Sequence, residues 1–300
     1  MGIAPSSPEK VVTGHSADGD EWHSMGLTLV FPTLPMSVTL PTLLALDFDG
    51  VICDGLQEYF QSTQRAYQQI WTDAASTDLD NQAEAFYRLR PVIESGWEMP
   101  LLLRALVLGI EPEDIQHNWP AIAKELSAQE GMGKAELGPA LDQVRDDWIH
   151  HNLDQWLGLH RFYPGILEQL KHWLASSNPQ FLYIVTTKEG RFVKQLLQGQ
   201  GVNFPADHII GKEIKQPKYQ TLQQLLDKHQ ITGDRLWFVE DLLKTLTSVA
   251  QQPELAQAQL FLADWGYNTP EIRASLQGQN RFQLLSLAQF TRDFEQWVTG

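Results

Sequence analysis

The sequence predicts an α/β protein in which a doubly wound parallel sheet is interrupted, after its first strand, by a long helical insert. Three features carry that prediction. Four short apolar runs each stop abruptly at polar residues, helical patterns fill the intervals between the later runs, and residues 56–160 hold helical patterns without a convincing strand. Strands buried on both faces read as continuous hydrophobic runs, and their alternation with helices marks an open sheet covered on both sides.

Taken along the chain, the first 40 residues read as a flexible tail, rich in Ser, Gly, Pro and Asp and without helical or strand period. Met25 to Leu46 is apolar, yet Pro32, Pro35 and Pro41 interrupt it, no Lys/Arg-rich segment precedes it and no small-residue cleavage pattern follows. A membrane span or export signal is therefore not expected. Met36 lies just ahead of the first strong strand, so translation starting there and translation starting at Met1 both suit the pattern.

The strands expected are Leu43 to Asp47, Phe181 to Thr187, Leu236 to Asp241 and Leu260 to Asp264. Helices are expected over Ile166 to Leu174, Arg191 to Leu197 and Tyr219 to His229, and in the insert over Leu56 to Thr72 and Met99 to Leu108. A crossover between parallel strands needs only about a dozen residues. The much longer insert at 56–160 therefore reads as an all-helical cap domain over the strand ends, with 41–55 and 161–300 forming the Rossmann-like α/β core. Pro164-Gly165 marks the return to that core.

Composition bounds the partners. A formal charge of −15 repels polyanions, so neither nucleic acid nor an anionic membrane surface is an expected partner. The same field opposes a phosphorylated substrate, which any phosphate site must offset with local cations. Cys53 is the only cysteine, which excludes an intramolecular disulfide and fits a cytoplasmic location. Oligomeric state is not legible.

In open α/β sheets ligands bind outside the carboxyl ends of the strands. The polar residues that stop the apolar runs, Asp47 and Asp49, Thr186 and Thr187, Glu240 and Asp241, should therefore converge on one crevice. Gly50 eases the chain out of β geometry so that Asp47 and Asp49 can both face it. Carboxylates from two strands make a hard, oxygen-rich site suited to Mg2+, which keeps waters and binds a substrate phosphate. Within the insert, Pro91 and Gly96 break the helical pattern of Tyr87 to Pro100 and place Arg88, Arg90, Glu94, Trp97 and Glu98 near a loop that could face the site. Arg90 there could clamp a second anionic group, or lie on a solvated helix face. His150 and His151, with Asp146, Asp147 and Asp154 at helical spacing, read as a polar surface rather than a metal site.

These runs resemble the motifs of the haloacid dehalogenase-like hydrolase superfamily over residues 41–270, and are most similar to its helical-cap phosphatases such as phosphoglycolate phosphatase. The first motif is matched by Leu46-Asp47-Phe48-Asp49-Gly50-Val51-Ile52-Cys53-Asp54-Gly55, the second by Ile184-Val185-Thr186-Thr187-Lys188, and the fourth by Phe238-Val239-Glu240-Asp241. Trp265-Gly266-Tyr267-Asn268 also matches a run common in the group. The third motif, a lysine near a helix start, falls among Lys212, Lys215 and Lys218; Lys218 leads its helix and is preferred, with Lys215 close behind.

The resemblance implies a magnesium-dependent phosphatase acting on a small phosphorylated metabolite. In it Asp47 is the nucleophile that becomes an aspartyl-phosphate, and Asp49 is the acid and then the base. Thr186 donates to a phosphoryl oxygen and Lys218 neutralises its charge, with Gly50, Thr187 and Arg90 as substrate contacts. Asp47, the Asp49 carbonyl and Asp241 hold Mg2+, with Glu240 as a ligand or an orienter of its water. Many relatives carry Gly before the last aspartate and an acid four residues later, whereas this chain has Glu240 and Thr245, so Glu240 reads otherwise as a solvated acid at a helix N-terminus. Asp49 argues against a dehalogenase, which needs neither that acid nor a metal. A phosphomutase of the β-phosphoglucomutase type shares all four motifs, and a noncatalytic binding protein on the same fold is the alternative from another class.

Overall fold

The computed structural model describes residues 39–72, 78–176 and 178–298. Most of the proposed tail, Met36 and most of the apolar Met25 to Leu46 stretch lie outside them. Leu40, assigned to the tail from sequence, packs against the core.

Among the described residues eight strands form two sheets: β1 (Leu43–Leu46), β2 (Cys53–Asp54), β3 (Arg161–Phe162), β4 (Phe181–Val185), β5 (Ile209–Ile210), β6 (Leu236–Glu240), β7 (Gln259–Ala263) and β8 (Gln283–Leu285). Six make one parallel sheet in the order β5-β4-β1-β6-β7-β8. Helices α1 (Leu56–Ile70), α2 (Ala83–Leu89), α3 (Glu98–Val107), α4 (Pro112–Glu130) and α5 (Lys134–Leu157) follow the first two strands. The remaining helices, α6 (Ile166–Ser176), α7 (Gly190–Gly199), α8 (Lys218–His229), α9 (Leu243–Ala250), α10 (Pro270–Ser275) and α11 (Leu287–Phe290), accompany the sheet.

The apolar runs are continuous because both faces of the sheet are covered. In β1, Leu44 and Leu46 point into a core built with Ile166, Leu170, Ile184 and Trp237, while Leu43 and Ala45 point into one built with Leu222, Leu225, Phe238 and Leu246. Helices α1 to α4 and the first half of α5 bury a core of their own around Tyr67, Phe86, Leu102, Trp119 and Leu141, which Tyr267 enters from the loop after β7.

The expected strands and helices are present, with ends shifted by a few residues, as at α1, which stops at Ile70. Two features were not anticipated. Strands β5 and β8, of two and three residues, extend the sheet at its two edges. The antiparallel pair β2 and β3 matches Cys53 with Phe162 and Asp54 with Arg161, tying together the two chain segments that bracket the insert.

Register places the site. Leu46 is level with Ile184 of β4 and Val239 of β6, so Asp47, Thr186 and the Glu240-Asp241 pair emerge together at the carboxyl edge. The chain runs from β1 outward to β4 and β5, then returns to place β6 on the other flank of β1. Such a reversal opens a crevice where neighbouring loops leave in opposite directions. Among the described residues no helix is long and apolar enough to cross a membrane.

Candidate active site

Asp47, Glu240 and Asp241 are buried to within a few per cent and each offers a carboxylate oxygen within 4.8 Å of the others. Among the described residues this is the one such group of Asp, Glu, His or Cys side chains able to share an ion. Lys218, from the first turn of α8, reaches in between: its Nζ donates to Glu240 Oε2 at 2.7 Å and lies 2.9 Å from Asp47 Oδ1. Asp47 Oδ1 also accepts from the Phe48 amide at 2.7 Å, and Glu240 Oε1 from the Leu242 amide at 3.2 Å. Asp241 Oδ2 accepts from the Tyr267 amide at 2.9 Å.

One ammonium does not balance three buried carboxylates. Loss of hydration raises Asp47 to about 7, helped by the nearby charge of Glu240 and opposed by Lys218. Burial likewise raises Glu240 to about 7 and Asp241 to about 6. Lys218 moves the opposite way: burial would lower it, but the charges of Asp47 and Glu240 outweigh that and hold it above its ordinary value. A divalent cation would relieve this imbalance, and the all-oxygen donor set fits Mg2+ chemistry.

Backbone fit fixes Asp241. Gly50 has φ +84°, and a Cβ there would stand 2.1 Å from Asp241 Oδ2. A Cβ on Gly266 would stand 2.3 Å from the Asp241 Cβ. Two glycines from different loops thus leave the space that Asp241 occupies. Asn268 donates to the Asp241 carbonyl at 3.1 Å and to the Ala263 carbonyl at 2.8 Å, and Arg273 donates to Asn268.

The Asp49 side chain stands outside the carboxylate group and pairs with Lys188, whose Nζ is 3.2 Å from Asp49 Oδ1. Thr186 is buried and its hydroxyl accepts from the Lys188 amide at 3.2 Å. Thr186, Thr187, Lys218 and Asp241 line a cavity of about 640 Å3 that continues past Pro91, Glu94 and Ser95, so the break in the helical pattern at Pro91 does bring a loop of the insert to the crevice. Asp47, Asp49, Gly50, Glu240 and Arg90 are not in that lining. Arg90 is buried, donates to the Ile93 carbonyl at 2.9 Å and lies over the rings of Tyr267 and Tyr59 at 4.7 and 5.1 Å. Lys212 pairs with Asp142 at 3.0 Å, and Lys215 sits exposed in the left-handed region at φ 53°. His150 and His151 join no group able to hold an ion among the described residues; His151 bonds the Asp147 carbonyl at 2.6 Å, and Asp146 pairs with Arg191.

Sequence reasoning passed over two residues. Lys188, next to the strand-ending threonines, could have been included by the same convergence argument. Glu58, fully buried on α1, accepts from Arg145, Ser62 and Trp156. Burial would raise its carboxyl, but the charges of Arg145 and Lys188 prevail and hold it at about 2. An acid beside Tyr59 and Phe60 on an apolar helix face was its only signal.

No protein-family model matches the sequence, and no curated protein matches it. Solved structures do. A candidate haloacid dehalogenase-like hydrolase from Bacteroides fragilis aligns over 82% of this chain and 97% of its own, with a TM-score of 0.51 at 14% identity. A predicted phosphatase from Clostridium acetobutylicum aligns over 84% and 97%, at 0.51 and 15%. A phosphoglycolate phosphatase candidate from Lactobacillus delbrueckii subsp. bulgaricus aligns over 81% and 94%, at 0.54 and 15%. The fold is therefore that of the haloacid dehalogenase-like hydrolases.

Proposed function

We propose that the protein is a magnesium-dependent phosphatase that hydrolyses a small phosphomonoester through an aspartyl-phosphate on Asp47. One observation supports this above the rest: the Asp47 carboxylate ends β1 beside the Lys218 ammonium and within reach of Glu240 and Asp241. That arrangement combines a nucleophile, a fixed positive charge for a phosphoryl group and a cation-binding group in one place.

In this reading Asp47 attacks phosphorus and the P–O bond to the alcohol breaks. Asp49 gives its proton to the departing oxygen, then takes one from the water that cleaves the acyl phosphate. Lys218 and the Thr186 hydroxyl hold the phosphoryl oxygens as their charge develops. Asp47, the Asp49 carbonyl and Asp241 would hold Mg2+, with Glu240 beside them. The ion would neutralise carboxylate and phosphate together and align them for in-line displacement. Helices α1 to α5 serve as a cap that shields the reaction from bulk water, and Arg90 packs over Tyr267 at the base of that cap. The strongly negative net charge and lone buried cysteine favour a cytoplasmic small-molecule phosphatase over a nucleic-acid or membrane enzyme.

The test is phosphate release from a panel of phosphorylated sugars, nucleotides and two- or three-carbon acids, with and without Mg2+. Release should require Mg2+, and Asp47→Asn should lower it at least 1,000-fold, by an order-of-magnitude reading of nucleophile loss. Isomerised sugar phosphate without free phosphate would mark a phosphomutase instead. Full activity in Asp47→Asn would refute the nucleophile.

A further inference from the structure

We infer that the substrate is the phosphate ester of an alcohol bearing a planar ring with hydrogen-bonding groups at its edge, rather than a two- or three-carbon phosphorylated acid. The inference rests on the phosphatase reading above and adds the chemistry of the leaving group.

The cavity that shares Thr186, Lys218 and Asp241 with the proposed phosphate site measures about 640 Å3. That lies within the range of roughly 300–1,000 Å3 over which pockets enclose ring-containing organic ligands. A two- or three-carbon acid would leave most of it unfilled.

Its walls are apolar from both sides. Val92 comes from the insert; Ile214, Tyr219, Leu243 and Ile272 come from the sheet domain. Ile214 is 49% exposed, one of three large apolar side chains so exposed among the described residues. Apolar surface left in water at a cavity mouth gains when a ligand ring covers it. Ser95, Thr245 and Ser248 also belong to the lining, and their hydroxyls make no hydrogen bond to the described residues. An aliphatic chain would leave such groups without partners, whereas a ring with polar edge atoms or hydroxyls meets them. Of the lysines in the lining, Lys212 and Lys244 are paired with Asp142 and Glu94, Lys218 with Asp47 and Glu240, and Lys215 is exposed.

Two arms test this. Phosphate release in Mg2+ is compared for AMP, UMP and pyridoxal 5′-phosphate against 2-phosphoglycolate and glycerol 3-phosphate. The same five compounds are titrated calorimetrically into Asp47→Asn, where chemistry is blocked. A ring ester is expected to exceed both small esters at least 100-fold in kcat/KM and at least tenfold in affinity; nucleotides and pyridoxal phosphate separate the two sources of ring. Small esters equal to or better than every ring ester in both arms would overturn the inference. If no compound releases phosphate, the hydrolase reading fails while the titration still decides the ligand class.

Val92→Trp and Ile272→Trp add bulk to the lining, one from the insert and one from the sheet domain. In either variant that keeps the parent melting temperature, the preference for ring over small esters should drop at least tenfold. An unchanged preference in both would place the leaving group elsewhere and overturn the inference.

Discussion

At Lys218 the buried ammonium is the sole cation in contact with Asp47 and Glu240 among the described residues. Removing one partner of a buried ion pair costs about 3 kcal/mol or more, because the other charge stays desolvated. Lys218→Met should therefore destabilise the protein by about that amount at pH 8, measured by urea unfolding, and by less at pH 5, where the carboxyls take up protons. Turnover should fall on the order of 100-fold or more with loss of the phosphoryl-stabilising charge. Unchanged turnover would remove Lys218 from the proposed site. The carboxylates it serves were legible in the sequence because each stops an apolar run at a defined strand end. Glu58 was not, because its importance comes from partners far along the chain, Arg145 and Trp156; Lys188 stood at a legible strand end, but its pairing with Asp49 did not show. Local pattern carries no record of such pairings.

Between elements, the same contrast between local and distant information recurs. β1, β4, β6 and β7 are long enough to show as apolar runs, whereas β5 and β8 gain their extended form only by adding to an existing edge. The insert was legible by its length, yet the β2–β3 pair that ties the flanking segments needs both partners to be seen at once. Helices α1 and α5 meet through the Glu58–Arg145 pair at 2.7 Å. Arg145→Ala should leave Glu58 buried without its main cation and cost about 3 kcal/mol. The loss should shrink as pH falls, because Glu58, held near 2 in the folded protein, then regains its proton. A melting temperature equal to that of the parent protein at pH 7 would show that the pair does not join the two helices energetically.

For the whole molecule, the carboxylate group at the crevice should couple stability to pH and, in the proposed reading, to divalent cations. Asp47, Glu240 and Asp241 have folded values of about 7, 7 and 6 against ordinary values of 3.8, 4.5 and 3.8. The folded state thus holds these protons more tightly than the unfolded state. Their stabilising contribution is complete below pH ~4 and is lost as pH rises toward 7. Glu58 acts with the opposite sign but between about 4.5 and 2, outside that window. Without divalent cation, stability should fall from pH 5 to pH 8. Mg2+ must displace those protons, so its stabilisation should be larger at pH 8 than at pH 5, about 2.7 kcal/mol at a hundredfold excess over its dissociation constant. Chelation should remove the effect, and Asp241→Asn should abolish it; an equal Mg2+ shift in that variant would place the ion elsewhere. The most direct test of the account is to locate the phosphoryl group itself. The protein is mixed with 32P-labelled acetyl phosphate and Mg2+, quenched in acid and digested. The account predicts a hydroxylamine-labile label on the peptide carrying Asp47 and none in Asp47→Asn; a stable label on another residue, or phosphate release undiminished in that variant, would contradict it.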